Sequence, residues 1–377
     1  MISGSLSIQR LLGSMGKIGA SDLHIKVGIP PTFRINGVLR SVQSDPVTEE
    51  EADHLLDPIV PANLRARFEE TGNLDFATHL PDGDRFRVNM FRSGGHTHAA
   101  IRRVKADIPT YQSLHLPAIY GQLVETTNEG LILVTGVTGC GKSTTLAAMI
   151  EHVNNREAVN IITVEDPVEF VHAHKNCIVT QREIGLDTDG WEIALKNTLR
   201  QAPDVILMGE IRDRETMENA VAFAETGHLC LATLHANSAN QALDRIINFF
   251  PEERRQQLLM DLSLNLKALI SQRLIPRESG RGRIAAVEIM LNTPLVSDMI
   301  FKGEIAEIKD LMKRSRELGM QTFDQSLFEL YEGHLISYED ALRNADSVND
   351  LRLQIKLQSQ RARSADLSAG TEHMKIV

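Results

Sequence analysis

A glycine-rich loop, GVTGCGKST at residues 136–144, constrains this chain more than any other feature of its sequence. Its spacing, Gly-x-x-x-x-Gly-Lys-Ser, lets the backbone point its N–H groups at the β- and γ-phosphates of a nucleotide. Lys142 adds a positive charge, and the hydroxyl of Ser143 is placed to hold Mg²⁺. Residues 131–135 have the pattern of a buried strand, and residues 144–153 have that of a helix. Because the motif requires the order strand, loop, helix, the chain is predicted to bind ATP or GTP.

This loop supplies the predicted nucleotide-binding residues. Chance would produce its pattern in about one of a hundred chains of this composition, so a glycine-rich turn without a ligand is a poor alternative. We interpret Cys140 as a small filler at a variable position and not as a nucleophile. The residues predicted to contact the nucleotide are Gly136, Val137, Thr138, Gly139, Cys140, Gly141, Lys142, Ser143 and Thr144.

From about residue 119, apolar runs of strand length alternate with helical patterns. The runs GLILVTG, NIITVED, DVILMGE and HLCLATLH are nearly continuous in apolar residues. Such runs are typical of strands that are covered on both faces. The alternation predicts an α/β domain built on a parallel sheet.

The N-terminal part has a different pattern. Residues 1–104 alternate short β-like runs with turn signals around a helical stretch at 49–60, which predicts a small α+β domain. Residues 105–118 contain Pro109 and Pro117 and have no clear period, so we interpret them as a linker.

The C-terminal part is predicted to be mainly helical. Residues 258–275 and 321–345 carry apolar side chains at spacings of three and four. These patterns predict a helical subdomain within a nucleotide-binding domain that we place at 119–350. Residues 351–377 are polar and aperiodic, and we predict that they form a disordered tail.

Length, charge and cysteine content narrow the function classes. At 377 residues the chain is too long for one ordinary core and fits two domains. Its formal charge of −10 argues against a protein that mainly binds a nucleic-acid backbone, because that affinity comes largely from clustered Lys and Arg. The sequence has no apolar run of membrane-spanning length and no signal-peptide pattern at its start, so a cytoplasmic location is expected. Cys140, Cys177 and Cys230 form no C-x-x-C pair, which disfavours a zinc or disulfide framework.

An acid ends the strand pattern DVILMGE at 204–210. Glu210 would lie at the carboxyl edge of the sheet, where ligands bind in open α/β folds, and is our candidate for the acid on the metal side. Many ATPases have Asp where this chain has Gly209, so we expect the contact of Glu210 with Mg²⁺ to run through water. The alternative is that Glu210 only caps a strand.

A second acidic stretch, IITVEDPVEF at 161–170, contains three acids in five positions. Hydrolysis needs a carboxylate or amide that orients the attacking water in line with the γ-phosphate, and Glu165 or Glu169 could do that. From the sequence alone, a solvated turn is an equally good interpretation of these acids.

Two histidines, His228 and His235, flank an apolar run. In a regular strand they would face opposite sides and lie roughly 23 Å apart, so one metal ion cannot bind both. We interpret them as polar groups at the two ends of a nucleotide-sensing strand. Two unrelated surface histidines are the alternative.

The N-terminal domain carries a run of arginines. A strand period of two places Arg85 and Arg87 on one face, which suits the binding of an anion. A phosphate site can also receive an arginine from a neighbouring subunit. Ordinary surface arginines are the alternative. The run comprises Arg85, Arg87, Arg92, Arg102 and Arg103.

Together these segments resemble the type II/IV secretion ATPase superfamily, and within it the PilT/PilU family of type IV pilus retraction ATPases. The resemblance extends from about residue 5 to 350 and includes ASDLHIKVGIPPTFRINGVL, the phosphate loop, IITVEDPVEF, DVILMGEIRD and TGHLCLATLHANSANQALDRI. It implies a PAS-like N-terminal domain and a RecA-like ATPase domain. It also implies a homohexameric ring whose ATP-driven motions depolymerise pili.

The resemblance also implies roles for single residues. Glu169 aligns with the proposed catalytic glutamate of the family's aspartate box, and Glu210 aligns with the Walker B glutamate. His228 and His235 match the histidine box. Among the arginines, Arg87 and Arg102 match best those proposed to reach a nucleotide, and Arg85 matches less well.

Some features depart from the family's other branches. Assembly and secretion ATPases carry a tetracysteine zinc element, which three scattered cysteines cannot build. The segment TPLVSDMIFKGE lacks the AIRNL-type motif of PilT-like chains. The absence of this motif, the longer C-terminal tail and the sequence of the segment FAETGHLCLATLHANSANQALDRIINFF together favour the PilU branch.

The function expected on these grounds is ATP hydrolysis, with Mg²⁺, in a hexameric motor that powers or assists pilus retraction and twitching motility. A PilU-like chain is expected to be an accessory to a principal PilT-like retraction ATPase, at the cytoplasmic side of the inner-membrane pilus platform. One alternative is a non-hydrolysing regulatory ring or adaptor. A nucleic-acid translocase is the other, and the acidic charge disfavours it.

Overall fold

The computed structural model of this protein describes residues 6–35, 37–80, 85–104 and 107–362. The chain divides into two compact units. The first comprises Met1–Asp107 and Glu169–Val171, and the second comprises Ile108–Val168 and His172–Val377.

The described residues of the first unit form an antiparallel sheet that is accompanied by α-helices. Its strands run in the order β3-β2-β1-β6-β5-β4. Along β5, Phe86, Val88 and Met90 are buried while the alternate residues are not, so one face of the sheet carries the core. The elements are α1 (Ile8–Ile18), β1 (Ala20–Ile25), β2 (Thr32–Ile35), β3 (Val38–Ser41), α2 (Glu49–Leu56), α3 (Arg65–Thr71), β4 (Asn73–His79), β5 (Arg85–Ser93) and β6 (His96–Val104). The predicted α+β character of this part is confirmed.

The second unit is built around a seven-stranded sheet in the order β13-β12-β7-β11-β10-β8-β9. The described pairs are parallel except for β12 with β13. Its elements up to the last strand are α4 (Tyr111–Leu114), α5 (Ile119–Thr126), β7 (Gly130–Thr135), α6 (Lys142–Arg156), β8 (Asn160–Glu165), β9 (Ile178–Glu183), α7 (Trp191–Thr198), β10 (Val205–Met208), α8 (Arg214–Glu225), β11 (Leu229–Leu234), α9 (Ala239–Asn248), α10 (Glu252–Asn265), β12 (Leu266–Pro276) and β13 (Arg283–Leu291).

Helices cover both faces of this sheet, which explains its continuous apolar runs. Alternate residues of β7 belong to different core clusters: Leu131 and Leu133 pack with α8 and α9, whereas Ile132 and Val134 pack with α5 and α6. Because neither face meets water, each position of such a strand is best filled by an apolar side chain. The predicted parallel α/β sheet is therefore confirmed.

In the described part of the chain, further α-helices follow the last strand. They are α11 (Pro294–Lys302), α12 (Ile308–Arg314), α13 (Phe323–Glu332), α14 (Tyr338–Arg343) and α15 (Val348–Gln358). Phe323, Leu327 and Leu351 of these helices pack on Ile275 and Ile284 of the last two strands. The predicted helical subdomain is thus present.

The prediction of one helical stretch over 258–275 is wrong in its second half. Helix α10 ends at Asn265, and β12 begins at Leu266 without a turn between them. Leu266, Ala268 and Ile270 are fully buried in β12. A short apolar run has the same composition in a buried helix and a buried strand, and its pairing with β7 decides for the strand.

Two boundary predictions also differ from the structure. The segment 105–118 contains the division between the two units, but Tyr111 and Leu116 are buried in the core of the second unit, so its described part is not a free linker. Residues 351–358, predicted as tail, lie in α15, where Ile355 is buried. Residues 363–377 of that predicted tail lie outside the described residues.

Over the described ranges, the structure contains no helix that combines the length and hydrophobicity needed to cross a membrane.

Candidate active site

The carboxyl ends of neighbouring parallel strands meet at one edge of the second sheet. Thr135, the last residue of β7, pairs with Leu234, the last residue of β11. Met208, the last residue of β10, pairs with Ala232 of β11 and with Val164 of β8. The residues that follow these strand ends therefore lie side by side, where ligands bind in open α/β sheets.

The phosphate loop connects β7 to the N-terminus of α6. Gly139 and Gly141 have φ values of 78° and 96°, a region that side chains disfavour, so the turn needs glycine at both positions. Val137 and Thr138 are exposed, while Ser143 and Thr144 lie half-buried in the first turn of α6. The loop thus presents backbone N–H groups and a helix N-terminus at the sheet edge, an arrangement suited to an anion.

Lys142 is buried against the loop. Its Nζ donates to the carbonyl oxygens of Gly136 at 2.9 Å and Val137 at 3.2 Å. An ammonium has three donors, so these two bonds fix the charge at the loop and leave one donor for a phosphate oxygen.

Cys140 fills space inside the loop. A Cβ added at Gly136 would lie 2.4 Å from Cys140 Sγ, so the thiol occupies the room that a side chain at 136 would need. Burial raises the pKa of the Cys140 thiol, although the nearby Lys142 opposes the shift. A neutral buried thiol agrees with the interpretation of Cys140 as a filler.

Glu210 lies beside the loop in a hydrogen-bonded group. His235 Nε2 donates to its Oε1 at 2.8 Å, and Arg212 Nε donates to its Oε2 at 2.7 Å. Arg212 also reaches Asp166 Oδ2 at 3.4 Å. Arg212 is half exposed, so this ion pair contributes little to stability and mainly orients the carboxylate.

His235 follows β11 directly. Burial lowers the pKa of its imidazole, and the positive charge of Lys142 lowers it further, against the opposing effect of Glu210. A carboxylate only accepts, so the hydrogen between His235 and Glu210 is on His235 Nε2. The histidine therefore donates to Glu210, and its lowered pKa favours the uncharged imidazole.

Gly209 owes its identity to close packing of strand ends. A Cβ at Gly209 would lie 3.2 Å from the Cα of Glu165, 3.3 Å from the carbonyl oxygen of Val164 and 3.4 Å from the ring of Trp191. The Asp found there in many ATPases would not fit without moving the backbone of β8. The substitution thus reflects the local packing of this chain.

The two candidate water-orienting acids differ in their surroundings. Glu165 ends β8, and its Oε1 accepts from Thr163 Oγ1 at 2.6 Å and from Gln181 Nε2 at 3.1 Å. Glu169 is exposed and belongs to the segment Glu169–Val171, which groups with the first unit. Glu165 is thus held by two hydrogen bonds and Glu169 is open to solvent, and the choice between them as the water-orienting acid stays a prediction.

His228 lies at the opposite end of β11 from the loop. Its Nδ1 contacts Thr226 Oγ1 at 3.0 Å and the Phe223 carbonyl oxygen at 3.1 Å, at the end of α8. The structure therefore brings only His235 to this chain's own loop, and places His228 at the other edge of the sheet. The expectation that one metal ion cannot bind both histidines agrees with this separation.

The predicted arginines belong to the first unit. Arg85 and Arg87 share a face of β5, as predicted, and Arg87 pairs directly with Arg102 of β6. Arg102 Nε donates to Asp22 Oδ1 at 2.8 Å. Burial alone would raise the pKa of Asp22, but hydrogen bonds from Arg102 and Ser21 hold it below its usual range.

The remaining predicted arginines lie on the same two strands. Arg92 pairs with Glu69 and lies over the ring of Phe68. Arg103 lies next to Arg102 on β6. A role for Arg87 or Arg102 at a nucleotide stays a prediction.

A cleft of about 660 Å³ opens beside the loop, a volume in the range of small-molecule sites. Gly136, Val137 and His235 form one side, and Arg245 and Asn248 of α9 form the other. A smaller cavity of about 250 Å³ lies next to Thr138, Gln272 and Arg273. The loop thus has room for a ligand on both sides.

Hard oxygen donors are the metal ligands that this site offers. The Ser143 hydroxyl and the Glu210 carboxylate are of the type that Mg²⁺ prefers. Across the described residues, no three His, Cys, Asp or Glu side chains are grouped to hold a metal by themselves. The donor set fits Mg²⁺ bound together with nucleotide phosphates, and the assignment of Ser143 and Glu210 to this ion stays a prediction.

Sequence reasoning missed two residues of this site, Arg212 and Gln272. Arg212 follows Glu210 by two positions, and the charge alternation in GEIRD was its signal. Gln272 was assigned to a helix. Gln272 comes directly after the run ALIS. Polar residues also follow the other strands at this edge, so this position was the signal in the sequence.

Comparisons with known proteins agree with this geometry. A family model described as type II/IV secretion system protein matches residues 5–332. The type IV pilus ATPase PilU of Pseudomonas aeruginosa is 53% identical over 94% of this chain and 93% of its own length. The type IV pilus retraction ATPase PilT of the same organism is 41% identical over 90% of this chain and 98% of its own length. A crystal structure of the pilus retraction motor PilT with bound ADP has a TM-score of 0.86 and 39% identity, covering 92% of this chain and 99% of that chain.

Proposed function

Since this chain belongs to the type II/IV secretion system protein family, in its PilT/PilU branch, and is an ATPase, we propose that it is a homohexameric motor that assists type IV pilus retraction. In this proposal it is a PilU-like accessory to a principal PilT-like ATPase and serves twitching motility. The observation that carries the proposal is the meeting of Lys142, Glu210 and His235 at one sheet edge beside a cleft of about 660 Å³.

ATP binding would use the loop and the start of α6. The N–H groups around Gly139 and Gly141 and the charge of Lys142 neutralise the β- and γ-phosphates. Ser143 and Glu210 would hold Mg²⁺, which would supply positive charge to the phosphoryl group being transferred. The oxygens of Glu210 are already oriented by His235 and Arg212, so this carboxylate is prepared for a metal-bound water.

Hydrolysis would use Glu169 to orient the attacking water. The water oxygen forms a bond to the γ-phosphorus, the bond from that phosphorus to the β,γ-bridging oxygen breaks, and the water proton passes to the carboxylate. ADP and phosphate are the products. Lys142 and Glu210 act on the pKa of His235 in opposite directions, since Lys142 lowers it and Glu210 raises it. His235 is therefore suited to respond to the negative charge of a bound phosphate.

Paired variants of the full-length chain test the ATPase site. Lys142→Ala is expected to lose ATP binding and at least about 100-fold of the hydrolysis rate, because the loop loses its charge. Glu169→Gln is expected to bind ATP and to hydrolyse it at least about 100-fold more slowly, because an amide accepts no proton. Binding of a fluorescent ATP analogue and phosphate release are the measurements.

Each result has a contrary outcome. Normal hydrolysis by Lys142→Ala would contradict the assignment of the phosphate loop. Unchanged turnover in Glu169→Gln, with loss in a parallel Glu165→Gln variant, would move the water-orienting role to Glu165. A wild-type ring that binds ATP without turnover would support the regulatory adaptor.

The accessory role is tested in cells. Deletion of this protein is expected to weaken pilus retraction under load, and deletion of the principal retraction ATPase is expected to abolish most retraction. The measurement is the retraction force of single pili in the two single deletions and in the double deletion. Full force in the absence of this protein at every load would contradict a motor role. The proposed location is the cytoplasmic side of the inner-membrane pilus platform, without contact to nucleic acid.

A further inference from the structure

Gln272 is a buried polar residue that the predicted chemistry does not use. It lies on β12, at the position after Ser271, which pairs with Thr135 at the end of β7. The residue after Thr135 is Gly136, the first of the phosphate loop. The strand register therefore places Gln272 against the loop, and its side chain is 2% exposed.

The side-chain amide of Gln272 makes one hydrogen bond to the phosphate loop and one to the first turn of α6. Its Nε2 donates to the Cys140 carbonyl oxygen at 3.0 Å, within the loop. Its Oε1 accepts from Thr145 Oγ1 at 2.9 Å, in the first turn of α6. Cys140 and Thr145 are each 2% exposed, so water does not compete for either bond.

The backbone of the loop also approaches Gln272 closely. A Cβ at Gly136 would lie 2.6 Å from the Gln272 carbonyl oxygen, and a Cβ at Gly141 would lie 3.2 Å from Gln272 Nε2. Two glycines of the motif are thus needed for contact with β12 as well as for the turn. This gives the loop a support on the side of β12.

We propose that Gln272 is a positioning residue that holds the phosphate loop in its nucleotide-binding shape. A trans peptide is planar, so its C=O and N–H point in opposite directions. By holding the Cys140 carbonyl, Gln272 makes the Gly141 N–H point away from β12. Through Thr145 it also fixes the first turn of α6, which carries Lys142 and Ser143.

The chemistry of the amide explains the choice of glutamine. One side chain must donate to a carbonyl and accept from a hydroxyl at the same time, which an amide can do. Leucine can do neither. An ionised glutamate can only accept, and it would place its charge against the Cys140 carbonyl, whereas a protonated glutamate can do both.

The inference rests on the proposed function, because it concerns the nucleotide of that site, but its test measures binding and not turnover. The probe is mant-ADP with Mg²⁺, titrated into the full-length protein. Gln272→Leu is expected to weaken binding by about tenfold or more. Ser271→Ala is the matched control, since it removes a buried 2.8 Å hydrogen bond to Thr135 from the same strand without touching the loop. Its affinity is expected to stay within about twofold of wild type.

A second variant separates positioning from general stability. Gln272→Glu is expected to bind mant-ADP nearly as well as wild type at about pH 6, and progressively worse than wild type toward about pH 8, as the buried carboxyl ionises. Wild type measured at each pH removes the titration of the nucleotide itself. Gln272→Leu and Thr145→Val are expected to be non-additive in binding, because they remove one shared contact.

Two outcomes of the variant measurements would overturn the inference. One is a loss of mant-ADP affinity in Gln272→Leu that is no larger than the loss in Ser271→Ala, when both variants have lost the same thermal stability. The other is full additivity of Gln272→Leu and Thr145→Val in binding, which would mean that their shared hydrogen bond does not act on the loop. If wild type binds mant-ADP but does not hydrolyse ATP, the proposed function fails and the inference about Gln272 is still decided by these variants. Absence of binding by wild type would overturn both.

Discussion

At the scale of single residues, neighbours decide which acid can do which chemistry. Both oxygens of Glu210 are held by His235 and Arg212, which orients the group without removing it from the site edge. Glu165 is held by Thr163 and by Gln181, whereas Glu169 is exposed. The sequence shows all of these carboxylates alike. Their hydrogen bonds distinguish them.

A glycine next to Glu210 gives a residue-scale prediction. Gly209→Ala is expected to lower the free energy of unfolding by about 1–3 kcal/mol, because its Cβ would crowd the backbone of Val164 and Glu165. Urea unfolding of the two proteins measures the difference. Gly190→Ala is the matched control, because its φ of −178° suits any residue and its Cβ meets no neighbour within 4 Å. Equal stability of the two variants would contradict the packing argument.

At the scale of secondary-structure elements, local pattern and tertiary pairing do not always agree. Residues 144–153 look helical in sequence and lie within α6. Residues 266–275 have an apolar pattern that fits a helix as well as a strand, and they form β12 because β7 offers a parallel edge. Their misassignment hid Gln272, whose role depends on the register of these two strands.

Helix α15 gives an element-scale prediction. Leu351→Ala is expected to lower the free energy of unfolding of the second unit by about 2–5 kcal/mol, because Leu351 is fully buried in the cluster around Phe323. Leu353→Ala on the same helix is the control, since Leu353 is 56% exposed and is expected to have little effect. Urea unfolding checks both variants. Equal stabilities would mean that the segment after Ser347 behaves as the tail that its composition suggests.

At the scale of the whole molecule, the candidate nucleotide residues are divided between the two units. Lys142 and Glu210 belong to the second unit, whereas Arg87 and Arg102 belong to the first. Arg102 is exposed and oriented by Asp22, and Arg87 lies opposite it across β5 and β6. A guanidinium supplied by another subunit would complete a phosphate site, which is the reason to expect a ring.

Mixed rings test this expectation. We expect Arg87→Ala and Arg102→Ala each to be inactive alone. Mixing either variant with Lys142→Ala is expected to restore ATPase activity, because some neighbouring subunits then combine an intact loop with an intact arginine. Glu210→Gln mixed with Lys142→Ala is the control. Both of those residues belong to the site of one chain, so no pair can restore it. Phosphate release as a function of mixing ratio is the measurement, and no gain over the control would count against an arginine acting in trans.

What the sequence determined by itself is local: the phosphate loop, the apolar strands that precede Gly136 and Glu210, and the helices that follow them. These follow from short-range requirements, because a phosphate turn needs glycine and a strand buried on both faces needs apolar residues. Tertiary structure alone decided that His235 and not His228 joins the loop, and that Gln272 supports it. Those facts depend on strand order and register, which for Gln272 bring together residues that are more than a hundred positions apart in the chain.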